Sequence, residues 1–367
     1  MMRCLEFYSG IGGLHYSLVG ARKDAVVVAA FDVNPLANAV YEYNHGLRPI
    51  PTDIGSLSAR ALDAYRADTW VLSPPCQPYT RQGHQRGSED PRAESFIKLL
   101  EKLEGLDHKP KYLLVENVVG FEESATRSHL AETMRRNGYI TQEFLVSPLE
   151  LGIPYSRARY FCLAKLSPAR FPDPSGDFRV ATGPPLAGDV GPPTRAPLRD
   201  YLLPELDYAS YDVSSQAWSG CFAGSGARRY LGAVDIVSPL SRRCCCFTKS
   251  YSRYLKGTGS LIAANAVPLE GGAGSRGFVD DRGLVHIHLS KVSLEDRENL
   301  EKTDDEILDR LVLRYFTPRE VANLHSFPQS FGFPDQVTKK QRYSLLGNSL
   351  SVAVVTHLLE YLFDDGA

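Results

Sequence analysis

A cysteine stands between prolines in the stretch Ser-Pro-Pro-Cys-Gln-Pro, residues 73–78, and this frame is suited to a nucleophilic thiol. A nucleophile gains from a backbone that holds it in place, whereas a buried structural cysteine packs as a small hydrophobe and needs no rigid flanks. Prolines also occur in ordinary loops after strands, so a plain loop is the alternative. The chemistry to consider is covalent catalysis by Cys76.

A second chemical pattern is the glycine-rich segment Glu-Phe-Tyr-Ser-Gly-Ile-Gly-Gly, residues 6–13, which follows an apolar run and enters a helical pattern. Glycines in this context let a ligand approach the backbone at a helix N-terminus, and Asp32, at the end of the next apolar run, can bind ribose hydroxyls. The segment lacks the last glycine of the dinucleotide fingerprint, and no Gly-Lys-Ser/Thr follows for a triphosphate. An adenosine-type cofactor without a pyrophosphate, S-adenosylmethionine, fits better. The alternative is a tight turn that needs glycine for its geometry alone.

Helices and strands must bring these residues together, and the apolar pattern of the first 165 residues predicts such elements. The predicted strands are 3–8, 25–32, 69–73, 111–117 and 158–166, with a further strand expected just before Asp53. These strands are too apolar for a half-exposed sheet, and segments with the apolar periodicity of helices lie between them. We therefore predict a doubly wound, mostly parallel α/β sheet. Ligands bind such sheets at the carboxyl ends of the strands, which gathers Asp53, Cys76 and Glu116 over one crevice.

Composition divides the chain into three parts. With 367 residues, of which 43% are hydrophobic and 23% charged, the chain can bury one large core and a smaller one. We predict a catalytic lobe at 1–167, a smaller target-recognition domain at 168–310, and a C-terminal segment at 311–367 that folds back onto the catalytic lobe. The middle region opens with a Pro/Gly-rich insertion, in which no packed element is expected before residue 198, and contains an acidic loop.

Charge and cysteine usage narrow the function classes. The net charge of −2 gives no general attraction to nucleic acid, so a polyanion must be bound by a local basic patch. Seven irregularly spaced cysteines without a Cys-x-x-Cys pair argue against a disulfide framework and against a metal site. We find no secretory leader and no long uninterrupted apolar stretch, so we expect no membrane partner and a cytoplasmic location, with the nucleus as a second compartment.

The order of five motifs resembles that of the cytosine-5 methyltransferases. These motifs are Phe-Tyr-Ser-Gly-Ile-Gly-Gly, Pro-Pro-Cys-Gln-Pro, Glu-Asn-Val, Ser-Arg-Ala-Arg-Tyr-Phe and Leu-Gly-Asn-Ser, and the resemblance is dense over 1–166 and 312–362. Segments 246–261 and 314–350 are similar to the eukaryotic branch that methylates tRNA, the tRNA (cytosine-38-C5)-methyltransferase family. The two cysteines at 244 and 245, before Cys-Phe-Thr, depart from that pattern, and we expect them to be buried filler.

This resemblance implies a Rossmann-like, S-adenosylmethionine-dependent methyltransferase fold that methylates cytosine C5 through a covalent adduct of Cys76 with C6. Glu116 would hold or protonate N3. Arg157 and Arg159, two apart on a predicted strand, would point to one face, where one orients the base carbonyl and the other reaches the backbone or Glu116; a pair of solvated surface arginines is the alternative. The base that removes the C5 proton is not identified.

The same resemblance implies a set of cofactor contacts that comes from both ends of the chain. These are Tyr8, Ile11, Gly12, Gly13, Asp32, Val33, Asp53, Ile54, Ser73, Pro75, Ser95, Asn348 and Ser349. The Leu-Gly-Asn-Ser motif also has a structural interpretation, in which a helix ends at the glycine of the motif and the serine is a cap. This alternative is compatible with cofactor binding.

Basic residues interleaved with aromatic ones make 228–256 the predicted nucleic-acid-binding stretch, although a solvated basic face is the alternative. We expect the rings of Tyr230, Phe247, Tyr251 and Tyr254 to stack on unpaired bases. The residues expected to bind the nucleic acid are Arg242, Arg243, Lys249, Arg253, Lys256 and, in the loop after the nucleophile, Arg81.

Extruding a base costs least where it is already unpaired, as in an RNA loop. We therefore predict a tRNA partner, with cytosine 38 in the anticodon loop of aspartate tRNA as the target and with weak DNA binding besides. Two alternatives stay open: a DNA cytosine-5 methyltransferase with the same chemistry, and a non-catalytic nucleic-acid-binding relative.

Overall fold

The computed structural model describes residues 1–75, 91–185, 193–203, 209–213, 234–268, 278–279, 284–287 and 310–365. The strands of the main sheet within these ranges are β1 (Met2–Phe7), β2 (Ala25–Phe31), β3 (Thr69–Leu72), β4 (Tyr112–Val118), β5 (Tyr139–Val146), β6 (Arg159–Leu166) and β7 (Val180–Thr182). Their spatial order is β2-β1-β3-β4-β6-β5-β7. Strands β1 to β4 are parallel, whereas β6 is antiparallel to both of its neighbours. The predicted doubly wound, mostly parallel sheet is confirmed.

Three details of the predicted sheet are wrong. Within the described range 1–75, no strand lies directly before Asp53, where Ile50 makes only an isolated bridge with Phe31. Strand β5 was missed because Gln142 and Glu143 break its apolar pattern, yet both are buried. The Pro/Gly-rich insertion does contain an element, the short edge strand β7, which pairs with β5.

Helices cover the catalytic part of the sheet: α1 (Gly13–Ala21), α2 (Pro35–His45), α3 (Ala59–Asp63), α4 (Pro91–Glu101) and α5 (Ala125–Arg136). Helix α2 begins with the Asn34 side chain accepting hydrogen bonds from two backbone N–H groups and with Pro35 at the first position. Phe96, Leu99 and Leu100 of α4 are buried, so this helix presents its apolar face to the core.

The C-terminal segment contributes α6 (Pro318–Leu324), α7 (Lys339–Asn348) and α8 (Val352–Phe363). A capping box between Thr317 and Glu320 starts α6. Helix α8 packs on α1, where the Ser17 hydroxyl donates to the carbonyl of Val352 at 3.2 Å. An 18-residue window within residues 339–363 has the mean hydropathy, 1.3, of a membrane-spanning segment, but 56% of that window is buried, as in the core of a folded domain. The chain's end thus returns to the glycine-rich turn.

Two small sheets are formed by the target-recognition region together with one strand of the C-terminal segment. One contains β8 (Asp235–Val237), β9 (Ser260–Ala263) and β13 (Leu313–Tyr315), and the other contains β10 (Ala266–Pro268), β11 (Phe278–Val279) and β12 (Val285–Ile287). Phe247 and Tyr251 of this region share a buried cluster with Ile11 and with Leu346 of α7. The domain boundaries at 167 and 310 stay predictions, but this cluster joins all three parts of the chain.

Candidate active site

A cavity of about 630 Å³ opens at the carboxyl ends of β1 to β4. The predicted cofactor residues that line it are Tyr8, Ile11, Gly13, Asp32, Val33, Asp53, Ile54, Ser73, Pro75, Ser95, Asn348 and Ser349. Glu116, Arg157 and Arg159 line the same cavity. The structure therefore brings residues from both ends of the chain to one place.

The glycine-rich turn is held by Asp32. One carboxylate oxygen accepts a hydrogen bond from the backbone N–H of Gly10 at 2.8 Å, and the other accepts from that of Asn34 at 2.8 Å. Gly10 has a positive φ of 53°, which favours glycine. Gly12, also at positive φ, does not line the cavity, and a Cβ there would lie 2.2 Å from the imidazole of His45. The structure gives a geometric reason for glycine at this position, and the predicted cofactor contact of Gly12 stays a prediction.

The cavity fits an adenosine-type cofactor. Ile11, Val33 and Ile54 give it apolar walls, which suit a purine ring, and the Asp32 carboxylate can accept further hydrogen bonds from ribose hydroxyls. The buried hydroxyl of Ser9 has no hydrogen-bond partner among the described residues and lines the same cavity. A polar ligand atom would satisfy it, so the residues present are compatible with S-adenosylmethionine.

Glu116, the predicted acid of the site, is held by two neighbouring side chains. The Ser73 hydroxyl donates to one of its carboxylate oxygens at 2.6 Å, and the Arg159 Nε stands 3.6 Å from the other. The neighbouring Asn117 donates to the carbonyl of Pro74 at 3.3 Å, which anchors the proline frame to β4. Cys76 and Arg81 lie outside the described residues.

Strand β6 begins at Arg159, so the prediction that both arginines lie on one strand is wrong for Arg157. The Arg157 side chain is buried, and its guanidinium donates to the carbonyls of Gly347 and Ser349, to that of Phe247, and to the Cys246 thiol at 3.1 Å. The Arg159 side chain is 18% exposed and paired with Glu116. The surface-arginine alternative is wrong for both, because Arg157 is buried and Arg159 is largely buried and paired with Glu116.

The Leu-Gly-Asn-Ser motif does not end its helix at the glycine. Helix α7 continues to Asn348, and Ser349 follows as its C-cap. A Cβ on Gly347 would lie 2.3 Å from the backbone of Thr248 and Lys249, so glycine allows the target-recognition region to contact α7.

Several residues of the site were not predicted. Gly10 and Asn117 stand inside the glycine-rich and Glu-Asn-Val motifs already singled out, so their place in these motifs was a usable signal. Leu345 and Leu350 also line the cavity, but in the sequence they are indistinguishable from the other apolar residues of this segment.

Only part of the predicted nucleic-acid-binding stretch is exposed to solvent. Arg242, Lys249, Arg253 and Lys256 are exposed, whereas Arg243 is half-buried and donates to the Ser156 hydroxyl at 3.2 Å. Phe247 and Tyr251 are buried, so the expectation that they stack on bases is wrong. Tyr254 is 54% exposed, with the Arg253 guanidinium 5.2 Å from its ring centre. Tyr230 lies outside the described residues.

The cysteines next to this stretch differ from one another. Cys244 is buried, as predicted for filler, while Cys245 and Cys246 are half-buried. Across the part of the chain that the structure describes, no group of three or more His, Cys, Asp or Glu side chains is arranged to hold a metal ion.

Comparison with known proteins gives the same family as the motif order. The family model of C-5 cytosine-specific DNA methylases matches residues 2–364. A Mus musculus protein named tRNA (cytosine(38)-C(5))-methyltransferase is 38% identical over 98% of this chain and 93% of its own length. A Schizosaccharomyces pombe protein of the same name is 35% identical over 99% of this chain and 97% of its own length.

Solved structures agree with these relatives. The crystal structure of the S. pombe Dnmt2 methyltransferase superimposes with a TM-score of 0.74 at 34% identity, covering 99% of this chain and 98% of that one. The fold class, the methyl-transfer reaction and the cofactor predicted from the sequence are confirmed. The chain belongs to the C-5 cytosine-specific DNA methylase family, within its tRNA (cytosine(38)-C(5))-methyltransferase branch, and is an S-adenosylmethionine-dependent cytosine C5 methyltransferase.

Proposed function

We propose that this protein methylates C5 of cytosine 38 in the anticodon loop of tRNA, with aspartate tRNA as its main substrate. The names of the mouse and S. pombe relatives support this target. The observation that carries the proposal is the arrangement of Ser73, Glu116 and Arg159 in the same cavity as Asp32. It provides a site for a cytosine next to a site for an adenosine.

The reaction begins at Cys76. Because cytosine C5 is a poor nucleophile, the ring must first be activated by addition of a thiolate to C6. The hydrogen bond from Asn117 to the Pro74 carbonyl fixes the backbone just before Cys76, which favours a single approach of the thiol.

Glu116 and Arg159 stabilise the activated ring. As the S–C6 bond forms, electron density moves onto N3 and the carbonyl oxygen of the base. The Glu116 carboxyl holds a proton at N3, and the Arg159 guanidinium, 3.6 Å from that carboxylate, is placed to stabilise charge on the base oxygen. When bound, S-adenosylmethionine supplies the methyl group that C5 accepts. Removal of the C5 proton then returns its electron pair to the ring and expels the Cys76 thiolate.

The surface beside the cavity suits an RNA loop. The backbone of Lys249 lies against Gly347 of α7, one residue from the cavity residue Asn348. This exposed lysine therefore lies next to the wall of the cavity. Exposed Arg253 and Tyr254 add a cation and a stacking ring. A charged surface with an aromatic side chain matches an unpaired base flanked by phosphates.

The test is methyl transfer to matched substrates. We expect transfer to an aspartate tRNA anticodon stem-loop with cytosine 38, and none when uridine replaces that base. Efficient transfer to duplex DNA with none to either RNA would favour the DNA methyltransferase alternative. Failure to form a covalent adduct with 5-fluorocytosine in either nucleic acid would favour the non-catalytic alternative.

A further inference from the structure

Arg157 is a buried cation with an unusual set of partners. It is only 3% exposed, yet no carboxylate within the described residues forms an ion pair with it. Glu116, the nearby acid, pairs with Arg159 instead. A guanidinium buried without a counter-charge is strongly destabilising, since carbonyl groups alone do not neutralise it.

The group placed to provide that charge is the Cys246 thiol, whose sulfur lies 3.1 Å from Nη1 of Arg157. The other charged and titratable groups around this sulfur are Arg159, the Tyr155 hydroxyl and the thiols of Cys244 and Cys245. Burial opposes ionisation, but the charges of Arg157 and Arg159 outweigh it and hold the pKa of Cys246 below its usual value.

The adjacent cysteine provides a contrast. Burial, together with the Asp235 carboxylate, raises the pKa of Cys245 to about 12. Two neighbouring thiols of the same stretch therefore face opposite electrostatic environments, and only Cys246 contacts a guanidinium through its sulfur.

We propose that Cys246 is the thiolate counter-ion of Arg157 and thereby a positioning residue for methyl transfer. It acts through Arg157, whose Nη2 donates to the carbonyls of Gly347 and Ser349, on either side of Asn348 in the wall of the cofactor cavity. Neutralised by Cys246, the guanidinium fixes this wall. The role in turnover rests on the proposed function, whereas the thiolate and its effect on cofactor binding do not.

Three variants test the charge, with the Kd of S-adenosylmethionine measured by calorimetry. Cys246→Ser removes the charge and keeps the size, and we expect about tenfold weaker binding, the scale of one lost charge-assisted hydrogen bond. Cys246→Asp restores a negative charge and should recover most of that loss. Cys245→Ser is the matched control and should bind as the wild type does. Unchanged binding by Cys246→Ser, or weaker binding by Cys246→Asp than by Cys246→Ser, would overturn the proposal.

A measurement on the wild-type protein covers the case in which the Cys246 variants do not fold. The rate of iodoacetamide alkylation at each cysteine is followed by peptide mass spectrometry between pH 5 and 9. Burial lowers the absolute rate, but the pH at half-maximal rate still reports ionisation. We expect Cys246 to be half-maximal well below the ordinary thiol value of about 8.5. A midpoint at or above that value would refute the thiolate, whether or not the protein methylates tRNA.

Discussion

The Arg159 guanidinium stands 3.6 Å from the Glu116 carboxylate, and both side chains line the cavity that contains the cofactor residues. We predict that Glu116→Gln lowers kcat about 10²–10³-fold, the usual effect of removing a positioned acid or a charge-stabilising group. Glutamine keeps the size of the side chain and can still accept from Ser73, but it cannot hold an acidic proton at N3. Single-turnover methyl transfer measures the change.

The control for this variant is Glu123→Gln, because Glu123 is an exposed acid beyond the end of β4. Its kcat should equal that of the wild type. A Glu116→Gln enzyme that turns over within about threefold of wild type would contradict the proposed role, since a positioned acid is worth more than that.

Cys76→Ala should abolish methyl transfer while leaving the affinities for S-adenosylmethionine and tRNA intact, because the thiol forms its bond only during the reaction. Activity of the variant below about one per cent of wild type corresponds to a loss of more than ~2.7 kcal/mol in barrier height. The comparison is made by methyl transfer and by denaturing gel detection of the 5-fluorocytosine adduct. Adduct formation by Cys76→Ala would assign the nucleophile to another residue.

Much of this site could be predicted because its chemistry is local in the sequence. The glycine-rich turn and the proline frame around Cys76 each fit within eight residues, and Glu116 belongs to a short motif at the end of a strand. Parallel strands place their carboxyl ends at one edge, so the order of these motifs predicts their assembly.

What the sequence did not predict depends on contacts between distant segments. The family resemblance implied that one of the two arginines reaches the backbone or Glu116, but no local pattern indicates that Arg157 binds the carbonyls at 247, 347 and 349 or that Arg159 is the one paired with Glu116. Likewise, Phe247 and Tyr251 alternate with basic residues as an RNA-binding surface would, but they are buried in the cluster that joins α7 to the target-recognition region.

Asp32→Ala should weaken S-adenosylmethionine binding by about 1–3 kcal/mol, the value of hydrogen bonds to a charged acceptor. The loss has two sources, since Asp32 faces the cavity and also holds the backbone of Gly10 and Asn34. Asp32→Asn, which keeps one acceptor oxygen for the turn, should lose less. Calorimetry distinguishes the variants, and equal affinity of Asp32→Ala and wild type would exclude a cofactor contact by this side chain.

Glu6 should make stability depend on pH. Burial raises the pKa of this fully buried carboxyl from its ordinary 4.5 to about 8, although Tyr41 donates a hydrogen bond to it at 2.7 Å. A raised pKa means that the folded protein binds the proton more tightly than the unfolded chain. The stabilisation is therefore complete below pH 4.5 and is lost as the pH rises towards 8.

Glu6→Gln removes this titration, so the variant should gain stability relative to wild type by up to about 1.4 kcal/mol per pH unit across that window. Urea unfolding at pH 5 and pH 8 measures the difference. Glu42→Gln, at an exposed carboxyl of α2, should show no such trend. A Glu6→Gln difference that is equal at both pH values would mean that Glu6 keeps the same charge in the folded and unfolded states.

Replacing Arg242, Arg243 and Lys249 together by alanine should weaken tRNA binding and flatten its salt dependence. Each lost phosphate contact lowers the slope of log K against log salt concentration by up to about 0.9, if the duplex value holds for an RNA loop. Arg243 also donates to Ser156, so the melting temperature of the variant is compared with wild type to separate folding from binding.

The control for the basic surface is the pair Arg22→Ala and Lys23→Ala, which lies before β2, at the amino ends of the parallel strands and thus opposite the cavity. Removing these two charges should leave the salt slope nearly unchanged, because only cations that contact phosphates displace counterions from the RNA. Binding is measured by filter retention of aspartate tRNA between 50 and 300 mM KCl. If the control pair and the triple variant reduce the slope by the same amount per charge, binding follows net charge alone, and the surface around Lys249 does not contact the anticodon loop.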